Sequence, residues 1–146
     1  MARSWKRRDD PFNGSVRCIY QDRSGRLWVG GAFGLSRFDG GTLVPYRLGA
    51  LAHEDINVQA IHEDAGGTLW LGTWSQGLQR LKDGRVTTFT SANGLYDDVA
   101  WSILEDGKGD LWMGSNRGVY RVSLQDLNAF ADGRSRGSRP WSGRWR

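Results

Sequence analysis

Through residues 15–122 the hydrophobic positions fall in short runs, alternating or continuous, that glycine and aspartate interrupt. Runs of that length bounded by turn residues predict β-strands, and the three-and-four spacing of a long amphipathic helix is missing there. The clearest window predicts four strands: "VQAIHE" (58–63), "TLWLGT" (68–73), "LQRLK" (78–82) and "VTTFT" (86–90). "DAGG" joins the first pair, and Asp83-Gly84 joins the last pair. Both are hairpin chemistry, because Asp hydrogen-bonds its own backbone and Gly accepts positive φ.

The same sentence is written three times. Asp22, Asp64 and Asp106 stand 42 residues apart, and so do Ile19, Ile61 and Ile103, Trp28, Trp70 and Trp112, and Gly30, Gly72 and Gly114. Four short antiparallel strands per repeat of this length describe a propeller blade. The predicted fold is therefore all-β, a partial β-propeller of about three four-stranded antiparallel blades. Asp64 is expected to tie the turn between the first two strands. Leu69 and Leu71 are expected to face one side of the blade and Trp70 the other, both covered by neighbouring blades. Gly72 would permit close approach of another backbone.

The first unit supplies "SVRCIYQD", "RLWVGG", "GLSRFD" and "TLVPYR", with Pro45 in the outermost strand, where a missing donor is tolerated. The third supplies "AWSILED", "DLWMGS" and "GVYRV" but no fourth strand. In its place "SLQDLNAFADG" predicts a short C-terminal helix, with Ser123 as cap, Leu124, Leu127 and Phe130 on one face, and Gly133 as stop. The domain reading is a basic tail over 1–14, repeats over 15–133 (15–50, 57–95, 98–133), and a basic disordered tail over 134–146.

Charge sharpens this picture. The net charge of +4 lies in the ends: residues 1–14 carry +2 and residues 131–146 carry +4, leaving −2 for 15–130. The repeats thus have no phosphate-binding excess, and nucleic acid is not an expected partner. No apolar run is long enough to span a membrane. The start has no apolar core of a signal peptide, so the chain taken literally is cytoplasmic. Cys18 is a single cysteine aligned with Ala60 and Ser102, which reads as a buried spacer.

Positions shared by every repeat hold the fold, while exposed positions that differ between repeats are free for function. Loops joining strands two and three, and loops joining successive units, lie on one rim of a blade. The former present Phe33, Trp74, Ser75, Gln76, Asn116 and Arg117, and the latter present His53, Glu54, Asp55, Asn93, Tyr96, Asp97 and Asp98. The loop at 73–77 has one extra residue, which would raise Trp74 above the surface. At the start of the innermost strand Arg17, Gln59 and Trp101 align, so Trp101 is no repeat-wide packing residue. The candidate ligand-binding set is Trp74, Trp101, Gln59, Arg17, Phe33, Asn116, Arg117, Tyr96 and Asp97. Aromatic faces with amides, carboxylates and arginine suit a small polar ligand such as a carbohydrate. The alternative is that Trp74 and Trp101 pack against a further blade or a partner chain.

Enzymatic chemistry is not expected. Glu54/Asp55 and Asp97/Asp98 are sequence neighbours in loops, not carboxylates facing each other across a substrate. No nucleophile motif is present, and His53 and His62 lack metal-ligand spacing. "DGKGD" (106–110) resembles part of a calcium loop without its remaining oxygen ligands. No metal and no cofactor are expected.

"VQAIHEDAGGTLWLGTWSQGLQRL" followed by "SANGL" resembles the two-component regulator propeller repeat, and "SILEDGKGDLWMGSNRGVYRV" and "CIYQDRSGRLWVGGAFGLSRF" resemble it as well. The resemblance spans about residues 15–133. It implies blades of the seven-bladed propellers that form extracytoplasmic sensor regions of bacterial histidine kinases, hybrid regulators and diguanylate cyclases. Such propellers do no chemistry; they bind a ligand, often proposed to be a carbohydrate, and pass on a conformational signal. A periplasmic location follows from the resemblance. Three repeats stand here instead of seven, with no kinase or cyclase domain, so transmitter activity does not carry over. The expected function is ligand sensing or recognition within a bacterial two-component protein. The alternative is a structural module that completes a propeller by self-association, or a truncated gene fragment without independent function.

Overall fold

The computed structural model describes residues 2–3, 15–47 and 56–133. Most of the two tails, and the 48–55 part of the first inter-unit loop with His53, Glu54 and Asp55, lie outside these residues. The first sheet orders β1 (Val16–Gln21), β2 (Leu27–Gly31), β3 (Gly34–Asp39) and β4 (Thr42–Tyr46) as an antiparallel meander. The second repeats it with β5 (Val58–Glu63), β6 (Leu69–Thr73), β7 (Leu78–Lys82) and β8 (Arg85–Phe89). The third has β9 (Ser102–Glu105), β10 (Asp110–Ser115) and β11 (Gly118–Ser123), followed by helix α1 (Leu124–Ala131).

Each repeated aspartate performs two tasks. Asp64 Oδ1 accepts the backbone N–H groups of Gly66 (2.9 Å) and Thr68 (3.0 Å), which closes the β5–β6 turn. Its Oδ2 accepts the Trp70 indole N–H at 2.9 Å. Asp22 does the same for Arg26 and Trp28, and Asp106 for Lys108, Asp110 and Trp112. The carboxylate of Asp106 is thus filled by protein donors, and "DGKGD" is a hairpin turn. Satisfying the indole N–H lets Trp70 enter the core with 0 % exposure, since an unpaired buried donor carries the full desolvation cost.

The two blade faces have separate partners, as the alternation predicts. Trp28 and Leu35 point forward from the first blade onto Val58, Leu69, Leu71 and Leu81 of the second. Trp70, Leu78 and Phe89 point forward from the second onto Ala100, Leu111, Met113, Tyr120 and Val122 of the third. At the inner end this packing needs a missing side chain. A Cβ on Gly72 would stand 2.4 Å from the Ala100 carbonyl oxygen, and one on Gly30 would stand 2.7 Å from Val58.

Polar links follow the same step from blade to blade. Tyr20 Oη accepts the Glu63 N–H at 3.2 Å, and at the next interface His62 Nε2 and Glu105 Oε1 share a hydrogen bond of 2.8 Å. His62 is therefore a polar connector between the second and third blades. Arg23 reaches from the first turn to the carbonyls of Asp64 and Ala65.

Two strand readings change. Cys18 is half-buried rather than enclosed; burial pushes its thiol up to about 11 against a hydrogen bond from Gly30, so it stays protonated and unreactive at neutral pH. The innermost strand of the third unit begins at Ser102, two residues later than "AWSILED" implies. Ala100 N–H instead donates to Thr73 O of the second blade, and Trp101 N–H donates to Gly114 O. The helix matches its expectation: Ser123 Oγ accepts the Asp126 N–H, Leu127 is buried, and Gly133 follows at φ +71°. Pro45 sits in the edge strand β4.

The turn carboxylates make stability pH-dependent. Burial alone raises the Asp22 carboxyl, but the Trp28 indole, the Arg26 and Ser24 backbone groups and the Arg26 charge outweigh it and hold the group below its ordinary value. Asp106 is held low chiefly by the Trp112 indole, then by the Asp110 and Lys108 amides. A folded pKa below the unfolded one gives stabilisation that is complete above the ordinary aspartate value of about 4 and disappears as pH falls through the lower folded value. The urea midpoint is therefore expected to lose this contribution only below about pH 4, and Asp22→Asn should flatten that part of the fall. An acid limb of unchanged steepness in Asp22→Asn contradicts the assignment.

Candidate functional site

The rim formed by the β2–β3, β6–β7 and β10–β11 loops and the connections into β5 and β9 carries the sequence-predicted residues. Its geometry begins with a repeated irregularity. In the first blade Val16 faces Gly31 and Cys18 faces Gly30, so Arg17 is an extra residue. In the second, Val58 faces Thr73 and Ala60 faces Gly72, so Gln59 is extra. Trp101 occupies the aligned place before β9. A bulge redirects the side chain it carries, and the three aligned positions hold a cation, an amide and an indole.

Trp101 meets Trp74 there. Their rings stack with centroids 5.5 Å apart and planes 22° apart, yet Trp74 is 49 % and Trp101 40 % exposed, against 0 % for Trp70. The supporting loop is rigidly tied. Thr73 Oγ accepts the Gln76 N–H and donates to Gly77 O at 2.6 Å, and Gly77 N–H donates to Asp98 O at 2.8 Å. The indoles cover each other's inner faces, and a large part of each ring stays in contact with solvent.

A second pair stands on the same rim. The Arg117 guanidinium lies 4.8 Å from the Tyr96 ring centroid and Nη1 donates to Tyr96 O, while Tyr96 Oη donates to Arg117 O. Tyr96 also packs on Tyr120, whose hydroxyl donates to Val99 O at 3.1 Å. Burial, with the Asp97 and Asp98 carboxylates adding to it, holds the Tyr120 phenol above its ordinary pKa. Asp97 Oδ1 accepts the Val99 N–H, and the Asp98 carboxylate accepts the Ser91 N–H and Oγ–H. These acids tie the loop that brings β9 into place.

The predicted set is thus partly assembled. Trp74 joins Trp101, Arg117 joins Tyr96, and Asp97 lies in the loop under Tyr120. Gln59 Nε2 donates to its neighbour Asn57. Arg17 and Asn116 are exposed and Phe33 is half-buried on the first and third blades. The stack itself escaped the sequence, which placed the two tryptophans on one rim without pairing them; the signal was the extra loop residue coinciding with the lone aromatic at the bulge. Among the described residues no group of three or more His, Cys, Asp or Glu could hold a metal ion, and no helix is long and apolar enough to cross a membrane.

Several solved structures share this fold. The extracellular domain of the proposed one component system BT4673 from B. thetaiotaomicron aligns with a TM-score of 0.66 at 20 % identity, over 75 % of this chain and 17 % of its own. That of the proposed hybrid two component system BT3049 from B. thetaiotaomicron aligns with a TM-score of 0.62 at 24 % identity, over 77 % of this chain and 15 % of its own. PorZ, an essential surface component of the type-IX secretion system of Porphyromonas gingivalis, aligns with a TM-score of 0.61 at 22 % identity, over 72 % and 17 %. The chain therefore spans less than a fifth of each of these proteins, and the likenesses establish a shared fold. No curated protein matches the chain. The profile of the two component regulator propeller matches residues 10–33, 51–75 and 94–117, one segment per repeat and half of the chain in all. With three blades built on the same Asp-to-Trp tie at those segments, the chain belongs to the two component regulator propeller family.

Proposed function

We propose that the chain is a non-catalytic ligand-recognition segment of a bacterial two-component signalling protein, acting outside the cytoplasm on a small polar ligand of carbohydrate type. The observation that carries this reading is the exposed Trp74–Trp101 stack on the loop rim. Large aromatic surface left in water on a tied loop is unfavourable for the isolated fold and is a common feature of recognition surfaces. Indole faces bind the apolar face of a sugar ring, and Arg117, Asn116 and Gln59 are the polar groups for its hydroxyls, while Asp97 holds the loop behind them. Tyr96 extends the aromatic surface, while Arg17 and Phe33 carry the same rim onto the first blade. The family and the extracellular setting of two similar structures support the sensor context.

Titrating the full chain with neutral and uronic-acid oligosaccharides is expected to give a saturable change in tryptophan fluorescence. Trp74→Ala should weaken the affinity about tenfold or more, the scale of a central aromatic contact, with unchanged far-ultraviolet circular dichroism. A folded sample without response, or an undiminished response in Trp74→Ala, contradicts the assigned site.

A second reading, assembly with further blades or another copy, is favoured by a separate observation. Val16 is 52 % exposed although its counterparts Val58 and Ala100 are fully buried, and Val119 is 52 % exposed although Leu35 and Leu78 are buried. Leu104 beside it is 65 % exposed. Val16 marks the open face of the first blade and Val119 with Leu104 that of the third, and association through them predicts concentration-dependent sedimentation of the full chain that Leu104→Glu and Val119→Glu suppress. A monomer at every concentration rules out self-association.

A further inference from the structure

Opposite the loop rim, the first two interfaces differ in one respect that the repeat makes measurable. In the first blade Trp28 carries the Tyr46 ring edge-on (centroids 5.2 Å, planes 72° apart) and the Arg37 guanidinium 5.9 Å from its centroid. In the second blade the aligned residues are Trp70, Phe89 and Arg80. Helix α1 closes that second set. Phe130 packs on Phe89 with centroids 5.5 Å apart, Asp132 Oδ1 lies 3.4 Å from Arg80 Nη2, and the Arg80 side chain is only 6 % exposed.

Among the described residues no such element covers the first set, because the second blade continues into strand β8 where the third continues into α1. A cleft of about 370 Å³ remains, lined by Arg26, Arg37, Tyr46, Glu63, Leu81 and Asp83 among others. Arg37 is 33 % exposed and meets Asp39, itself 66 % exposed, at 3.8 Å. A pair that open and that long holds its guanidinium weakly. Of the acids lining the cleft, Asp22 pairs with Arg26 at 3.2 Å, Glu63 accepts the Arg23 N–H at 2.9 Å, and Asp83 stands in the β7–β8 turn. Arg37, held by the open Asp39 pair and the Trp28 ring face, is the guanidinium that stands beside the Tyr46 edge.

We propose that this cleft between the first and second blades is a binding site for a small aromatic carboxylate, whose ring rests on Tyr46 and whose carboxylate pairs with Arg37. The ligand class is read from the molecule itself: it reproduces what Phe130 and Asp132 present to Phe89 and Arg80 one repeat further on. The volume stands near the lower end of small-molecule sites, which fits a single ring with a short acidic arm and not a whole helix. Guanidinium geometry selects a planar carboxylate over a hydroxyl. This site is separate from the Trp74–Trp101 rim, and neither depends on the other.

The test follows the Trp28 indole N–H resonance of the full chain by NMR during titration with 3-phenylpropanoate, with 3-phenylpropanol as the uncharged control. The acid is expected to shift that resonance saturably, with a dissociation constant on the order of millimolar for so few heavy atoms. The alcohol should bind about tenfold more weakly, and Arg37→Gln should erase the difference. Ser24→Trp, an exposed change at the cleft mouth, should block binding without touching the core. Absence of a shift, equal binding of acid and alcohol, or undiminished binding by either variant overturns the proposal. A shift produced only by a synthetic peptide of residues 124–133 also overturns it, since the cleft would then be a segment-docking groove.

Discussion

Everything in this fold rests on a carboxylate that serves a turn and an indole at once. A four-stranded blade alone has two apolar faces and no core. To become part of a core it must push a large side chain into its neighbour, and the largest available carries an N–H that cannot be buried unpaired. Placing aspartate six residues earlier solves both problems, because the hairpin that it closes brings its second oxygen beneath the indole. The tryptophan then enters the next blade as an apolar wedge. Repeating this every 42 residues gives successive interfaces the same central wedge.

That copying explains where variation is tolerated. Close approach at the inner end forces glycine opposite Ala100 and Val58, and the forward face forces Leu35, Leu78 and the tryptophans. The bulges at Arg17 and Gln59, and the aligned Trp101 just before β9, escape these demands. A propeller built from repeated structural units can differ from blade to blade only at such places. Here they hold a cation, an amide and an indole, and the indole has recruited Trp74 from the neighbouring loop.

Much of this was legible in the sequence because period-two patterning and turn chemistry are local properties. The strands of the second unit, the edge position of Pro45 and the Ser123 cap required only neighbours a few residues away. The direction in which Trp70 and Leu71 point was also legible, since alternation assigns opposite faces. The indole bond was not read, although the fixed Asp-to-Trp spacing in all three units carried it; the turn role of the aspartate accounted for only one of its two oxygens. The His62–Glu105 link and the return of α1 onto Arg80 and Phe89 depend on how consecutive blades are placed, which no periodicity encodes. The same holds for the Trp74–Trp101 stack, whose members come from two blades.

The central claim is that the aspartate–indole tie, not the turn alone, couples one blade to the next. Urea unfolding of Asp64→Ala against the parent chain tests it most directly. Removing Asp64 leaves the fully buried Trp70 N–H without an acceptor and opens the turn, so a loss of about 2–4 kcal/mol is predicted, combining an unsatisfied buried donor with the lost turn bonds. Asp106→Ala, whose Trp112 is only half-buried, should cost clearly less. Equal losses in the two variants, or a loss below about 0.5 kcal/mol for Asp64→Ala, the range of ordinary surface changes, would contradict the account.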